Sequence, residues 1–112
     1  MKKRYNQLPQ VAFSILLALS LKDRHGYEII KQVDEDSNGK IKLVPGALYT
    51  SLKQLNEQGL VAEVTNQDDT RRRYYRLTTN GKKALASEIE YYQNSVELAR
   101  KRQILTLGIS HA

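Results

Sequence analysis

From Leu8 to Leu21 apolar side chains fall on nearly every face of a helical projection: Leu8, Val11, Ala12, Phe13, Ile15, Leu16, Leu17, Ala18, Leu19 and Leu21. Pro9 is tolerated in a first turn, so the pattern predicts a helix covered on most sides. Lys22-Asp23-Arg24-His25-Gly26 then reads as a polar turn. Tyr27, Ile30 and Val33 follow a helical period into the acidic group Asp34, Glu35 and Asp36, with a stop at Ser37-Asn38-Gly39. Ile41 and Leu43 alternate with Lys40 and Lys42, a very short strand at most. Pro45 suits the first turn of a third helix, whose Leu48, Leu52 and Leu55 share one face and which Gly59 ends.

Beyond Gly59 the period drops to two. Leu60, Ala62 and Val64 alternate with Val61, Glu63 and Thr65, and Tyr75 and Leu77 alternate with Arg72, Tyr74 and Arg76. Two strands are predicted around the polar tip Asn66-Gln67-Asp68-Asp69-Thr70. Thr78 is placed to cap a last helix. No breaker follows Gly81 until Gly108, which gives about 29 residues, or about 43 Å at ~1.5 Å per residue. The fold class is mainly α with a small β-hairpin: helix, helix, helix, hairpin and long helix in the order of a winged helix-turn-helix with an added C-terminal helix.

Composition narrows the function. The chain has 112 residues with 18 Lys plus Arg against 12 Asp plus Glu, a formal charge of +6. That size excludes a multidomain enzyme, and the 40% hydrophobic content marks a globular chain rather than a disordered one. A domain this short buries about two-thirds of its unfolded surface, so a partner subunit is a natural source of further stability. There are no cysteines, which removes disulfide scaffolds, thiolate zinc sites and cysteine nucleophiles and fits a reducing compartment.

Lys2-Lys3-Arg4 ahead of Val11 to Leu21, with Ala18-Leu19-Ser20 inside that run, imitates a secretory signal. The intervening Asn6, Gln7, Pro9 and Gln10, the embedded Ser14, and the loss of the most hydrophobic helix on cleavage argue against it. No stretch of about 20 apolar residues is available to span a bilayer. The chain reads as cytoplasmic, with no membrane partner.

Between Asn66 and Lys83 there are six basic residues (Arg71, Arg72, Arg73, Arg76, Lys82, Lys83) and two acidic ones (Asp68, Asp69), a local charge of +4. Arginines at a hairpin tip suit phosphate and the narrow minor groove, because a planar guanidinium makes two parallel hydrogen bonds and stays ionised. Alone, such a triplet equally describes a solvated strand face. The preceding helix shifts the balance. With its leucines inward, Gly46, Ala47, Thr50, Ser51, Lys53 and Gln54 lie opposite, a face of small and polar groups able to enter a major groove. Tyr49 lies at the border, with a ring to pack and a hydroxyl for phosphate. Duplex DNA is therefore the expected partner, read through Gly46, Ala47, Tyr49, Thr50, Ser51, Lys53, Gln54 and Arg71 to Arg73.

Leu85, Ile89, Tyr92, Val96 and Ala99 are spaced 4, 3, 4, 3 along the last helix, the alternation of a coiled-coil seam. With the many-sided first helix, this predicts a homodimer in which the C-terminal helix packs on the other subunit's first helix and two reading helices meet two half-sites. Residues 1–78 then form the DNA-binding domain and 79–112 the dimerisation helix of one compact unit. Enzyme signals are poor. His25 and His111 sit in a turn and at a terminus, no spacing suggests a metal site, the glycines are scattered singly, and no cofactor is expected. A winged-helix protein-interaction module that does not read DNA is the competing reading. RNA binding ranks below both, since the exposed aromatic platform of single-strand binders is lacking and Tyr74 with its arginine neighbours is the only candidate for one.

His25-Gly26-Tyr27-Glu28-Ile29, Pro45-Gly46-Ala47-Leu48-Tyr49 with Leu52, Leu55 and Gly59-Leu60, and Arg72-Arg73-Tyr74-Tyr75-Arg76-Leu77-Thr78 with Gly81 together resemble the PadR family of bacterial transcriptional regulators, over roughly residues 8 to 85. The single C-terminal helix looks like the compact subgroup of that family. The resemblance implies a dimeric winged-helix repressor that blocks a promoter and is released by a small aromatic or lipophilic effector. By position, Ala47 to Gln54 would form the recognition helix and Arg71 to Arg73 the wing. In multidrug-responsive relatives aromatic residues of the C-terminal helices hold flat ligands in a pore at the dimer interface. The matching position is Tyr92, where those relatives carry tryptophan, with Leu85, Ile89, Val96, Phe13 and Ser14 as lining. Tyr92 as a plain dimer-core residue is the alternative.

Overall fold

The computed structural model describes residues 7–104. Lys2, Lys3, Arg4, Gly108 and His111 lie outside the described residues. The order of elements is α1 (Gln10–Leu19), β1 (Arg24–His25), α2 (Gly26–Asp36), α3 (Pro45–Glu57), β2 (Val61–Val64), β3 (Tyr74–Leu77) and α4 (Thr79–Lys101). The strands form one antiparallel sheet in the order β1-β3-β2. This is the expected mainly α winged architecture, with four helices around a sheet of three strands rather than two.

Ile15, Leu16 and Ala18 of α1, Ile29 and Val33 of α2, and Leu48, Leu52 and Leu55 of α3 form the centre of the core. Val61, Tyr75 and Leu77 close it from the sheet side and Leu85 from α4. The predicted leucine face of α3 is the buried one, and truncating any of its leucines to alanine would cost about 2–5 kcal/mol. The helix ends where the glycine signal placed it. Gly59 takes a left-handed φ of 76°, its N–H reaches the Asn56 carbonyl at 3.0 Å, and the Leu60 N–H reaches back to Leu55 at 2.9 Å. This is the paired closure of a Schellman motif.

Three local expectations are corrected. The segment read as a polar turn contains β1, whose Arg24 and His25 are both buried. Arg24 is accommodated because its Nε–H donates to the Ala18 carbonyl at 2.9 Å, capping the end of α1. Ile41 and Leu43 form no strand: Leu43 simply drops into the core from an extended connection. Tyr74, expected on the outer side with Arg72 and Arg76, is buried beneath the added strand, facing His25 in the β1–β3 register.

Thr78 caps α4, accepting from the Gly81 N–H at 2.9 Å. The helix does not run on toward Gly108. It ends at Lys101, with Arg102 as its cap and Gln103 at a left-handed φ of 68°. Its 23 residues still span about 35 Å at ~1.5 Å per residue. Its first half packs on α1 and the sheet, with Gly81, Ala84, Leu85 and Glu88 buried. Beyond Ile89 its apolar residues emerge: Tyr91, Tyr92, Val96 and Leu98 are all exposed. No helix among the described residues is long and apolar enough to cross a membrane.

Candidate nucleic-acid interface

Burial of Leu48, Leu52 and Leu55 fixes which side of α3 faces out. Gly46, Ala47, Thr50, Lys53 and Gln54 are exposed and Ser51 is half-buried. A β-carbon on Gly46 would meet nothing within 4 Å, so the first turn of the helix stands clear. Tyr49 is 47% exposed and leans toward α2, where a β-carbon on Gly26 would strike its hydroxyl. Close approach of the two helices at this point therefore depends on residue 26 having no side chain.

The wing carries its charge in a more organised way than the sequence suggests. Arg76 makes a bidentate pair with Asp23, with Nη2 at 2.8 Å and Nε at 3.1 and 3.2 Å. That hydrogen-bonded carboxylate raises the arginine's pKa, further securing its charge. Arg73 lies 3.7 Å from Glu63 across the hairpin, and Arg72 lies 3.2 Å from Asp69. Arg71 makes no ion pair among the described residues. Three of the four arginines are thus paired within the fold, and the outward field of the wing is carried by Arg71 with the open sides of its neighbours.

Behind the wing, Asp69 and Tyr74 form a half-buried polar base. The Tyr74 hydroxyl donates to Asp69 Oδ2 at 3.4 Å. Burial first, and the Asp69 carboxylate second, push this phenol above its ordinary pKa. The His25 ring stands edge-on to Tyr74, with centroids 5.3 Å apart and planes at 83°. His25 also opens α2 as half of a reciprocal capping box: its Nδ1 accepts from the Glu28 N–H at 3.4 Å, while Glu28 Oε1 accepts from the His25 N–H at 3.2 Å. Sequence reasoning counted Asp69 only for its charge, placed His25 in a turn and saw Tyr74 as an outward aromatic, so none of the three was expected in this arrangement. The one signal available for His25 was the His-x-x-Glu spacing just ahead of an apolar helical period.

These elements enclose a groove of about 510 Å³ lined by His25, Gly26, Tyr27, Tyr49 and Arg71 to Arg73. The expected wing residues and Tyr49 are therefore neighbours, and Tyr27, 67% exposed, joins them. Guanidinium forks, a phenol and the opening turn of a helix on one concave surface match the donors that position a protein on a phosphate backbone. The exposed face of α3 lies alongside, where it can present Thr50, Lys53 and Gln54 to base edges. Among the described residues no group of three or more His, Asp or Glu side chains is arranged to hold a metal ion.

The residues expected around an effector divide. Phe13 and Tyr92 meet edge-on at 5.3 Å and 81° and, with Ile89 and Val96, line a shallow groove of about 620 Å³ along α4. Ser14 lines an adjoining cleft of about 400 Å³ that shares Phe13 and Tyr92. Leu85 belongs to the core and borders neither.

The family model described as the transcriptional regulator PadR-like family matches residues 15–87. An uncharacterised protein of Lysinibacillus sphaericus is 30% identical over 88 residues, covering 76% of this chain and 81% of that one. Transcriptional regulator YqjI of Escherichia coli K12 is 29% identical over 101 residues, 90% of this chain, which spans only 46% of the length of YqjI. Among solved structures, a PadR family transcription regulator from Clostridium difficile superposes with a TM-score of 0.72 at 27% identity, covering 83% of this chain and 97% of the other.

Proposed function

From the premise that this chain belongs to the transcriptional regulator PadR-like family, we propose that it binds duplex DNA as a homodimer and represses the promoter it occupies. The observation that carries the reading is the shared groove. Tyr49 of α3, the first turn of α2 and the three wing arginines line one surface, so a helix in the major groove and a wing on the flanking backbone engage the same duplex together. Gly46, Ala47, Thr50, Ser51, Lys53 and Gln54 supply the helix contacts and Arg71 to Arg73 the wing contacts. The operator is palindromic, because a two-fold dimer presents the same helix twice.

The exposed lower half of α4 is the dimer seam: Tyr92 and Val96, 41% and 43% exposed in the single chain, pack on the partner's α1. The Phe13–Tyr92 groove lies at that seam and takes a planar aromatic or lipophilic effector. Such a ligand shifts DNA binding only by favouring one dimer arrangement over another. The test is an anisotropy titration of the DNA upstream of the chain's own gene against a scrambled duplex, repeated with planar aromatic compounds. Selective binding that these compounds weaken supports the reading. Equal binding of both duplexes contradicts it, as does a tight complex with another protein and no selective DNA shift.

A further inference from the structure

We infer that His25 is a positioning residue for the wing, linking the Arg72 guanidinium to the first turn of α2; the inference rests on the DNA-binding reading above. His25 Nε2 lies 3.2 Å from Arg72 Nη1, and the same Nη1 lies 3.2 Å from Asp69 Oδ2. On the other side of the ring, Nδ1 faces the Glu28 N–H at 3.4 Å. Among the described residues the other polar contacts of the wing tip stay inside the hairpin: Asp68 and Asp69 bond Asn66, Tyr74 bonds Asp69, and Arg73 faces Glu63. The Arg72–His25 contact is thus the side-chain contact that ties the tip to the start of α2, beside the backbone pairing of His25 with Tyr74. It lies in the groove that also holds Tyr49 and Arg71.

The chemistry of the ring makes this link a choice. A neutral imidazole has one donor nitrogen and one acceptor nitrogen; Glu28 Oε1 lies 3.7 Å from Nε2, but the two nearer polar neighbours, the Glu28 amide and the Arg72 guanidinium, are both donors. One lone pair serves one of them at a time: either α2 is capped or Arg72 is held. Both contacts are correspondingly long for N–H hydrogen bonds. Held at Nη1 by His25 and Asp69, the Arg72 fork keeps its remaining N–H groups for a DNA phosphate, so the contact with His25 persists in the complex. His25, itself 7% exposed, thus orients the wing without touching DNA.

His25→Asn separates this role from simple capping, since asparagine is among the best N-cap residues but its short amide does not span to Arg72. The expected result is a thermal midpoint close to that of the unaltered chain and an affinity for the upstream duplex reduced about tenfold, or ~1.4 kcal/mol. Arg72→Gln should lose a similar factor, and the double variant should lose no more than the worse single. Additive losses, or an unchanged affinity in His25→Asn, overturn the inference. Should that variant unfold, ring ¹⁵N spectra decide. Arg72→Gln must move Nδ1 toward the signature of an unprotonated acceptor, and a shift that stays put overturns the link. Absence of selective binding by the unaltered chain overturns the regulator reading and this role with it, whereas selective binding with additive variants overturns the role of His25 alone.

Discussion

The hydroxyl of Tyr49 occupies the space that a β-carbon on residue 26 would need, so α2 and α3 meet through Gly26 with no side chain between them. The groove that gathers the wing and Tyr49 depends on this approach.

Gly26→Ala should therefore damage binding more than folding. The colliding atoms are the tip of an exposed side chain, which swings away, while buried Leu48 Cδ2 at 3.2 Å gives slightly; the cost is about 1 kcal/mol, but the Tyr49 hydroxyl leaves the groove. Affinity for the upstream duplex is expected to fall several-fold. A Gly26→Ala, Tyr49→Ala double variant should lose no more than the worse single, as measured by anisotropy beside thermal melts.

Gly81 gives the opposite outcome. A β-carbon there would run into the Leu60 backbone carbonyl and lie 2.7 Å from Leu77 Cδ1, and the Leu60 carbonyl is already held by the Thr78 N–H at 3.1 Å. Nothing at this junction of α3, β3 and α4 moves cheaply. Gly81→Ala should destabilise by about 1–3 kcal/mol, lowering the midpoint of a circular-dichroism melt by roughly 4–8 °C per kcal/mol.

Internal pairing moderates the wing's charge. Glu63→Gln releases Arg73 from a pair whose side chains are 74% and 52% exposed, so stability should change by less than about 0.5 kcal/mol. Affinity for any duplex should rise about two- to fivefold and the salt dependence should steepen by about one counterion. Arg71→Gln should flatten the same slope by about one. Titrations at several salt concentrations read both effects.

Two buried phenols set an alkaline limit. Burial, then Asp69, raises Tyr74; burial, then Glu63, raises Tyr75. The unfolded chain loses these protons first, near about pH 10. Their contribution is therefore complete below that pH and lost as pH rises through the higher folded values. Urea midpoints should hold steady from neutral pH to about 9 and fall beyond about 10, and Tyr75→Phe should reduce the fall.

The four helices and the stop of α3 were legible because leucine spacing, Pro45, Gly59 and the Thr78 cap are all local signals, whereas the end of α4 at Lys101, which no glycine or proline marks, was not. The two-residue strand β1 was not. Arg24 and His25 look solvated in sequence, and only pairing with Tyr74 and Tyr75, with the Ala18 carbonyl waiting for Arg24, makes their burial tolerable. For the same reason the wing arginines were countable while their partners Asp23 and Glu63 were not, being 53 and 10 positions away from Arg76 and Arg73. The 4-3-4-3 stripe of α4 was plain, but where it leaves the core for the surface, between Leu85 and Tyr92, is settled by how far α1 reaches.

The most direct test of the account is sedimentation of the chain with a labelled duplex from upstream of its own gene, beside a Val96→Glu variant that alters only the exposed part of α4. The account predicts two chains per operator and no comparable complex on scrambled DNA, with the variant folded but monomeric and weakly bound. A single chain per duplex, or equal complexes on both sequences, would contradict it.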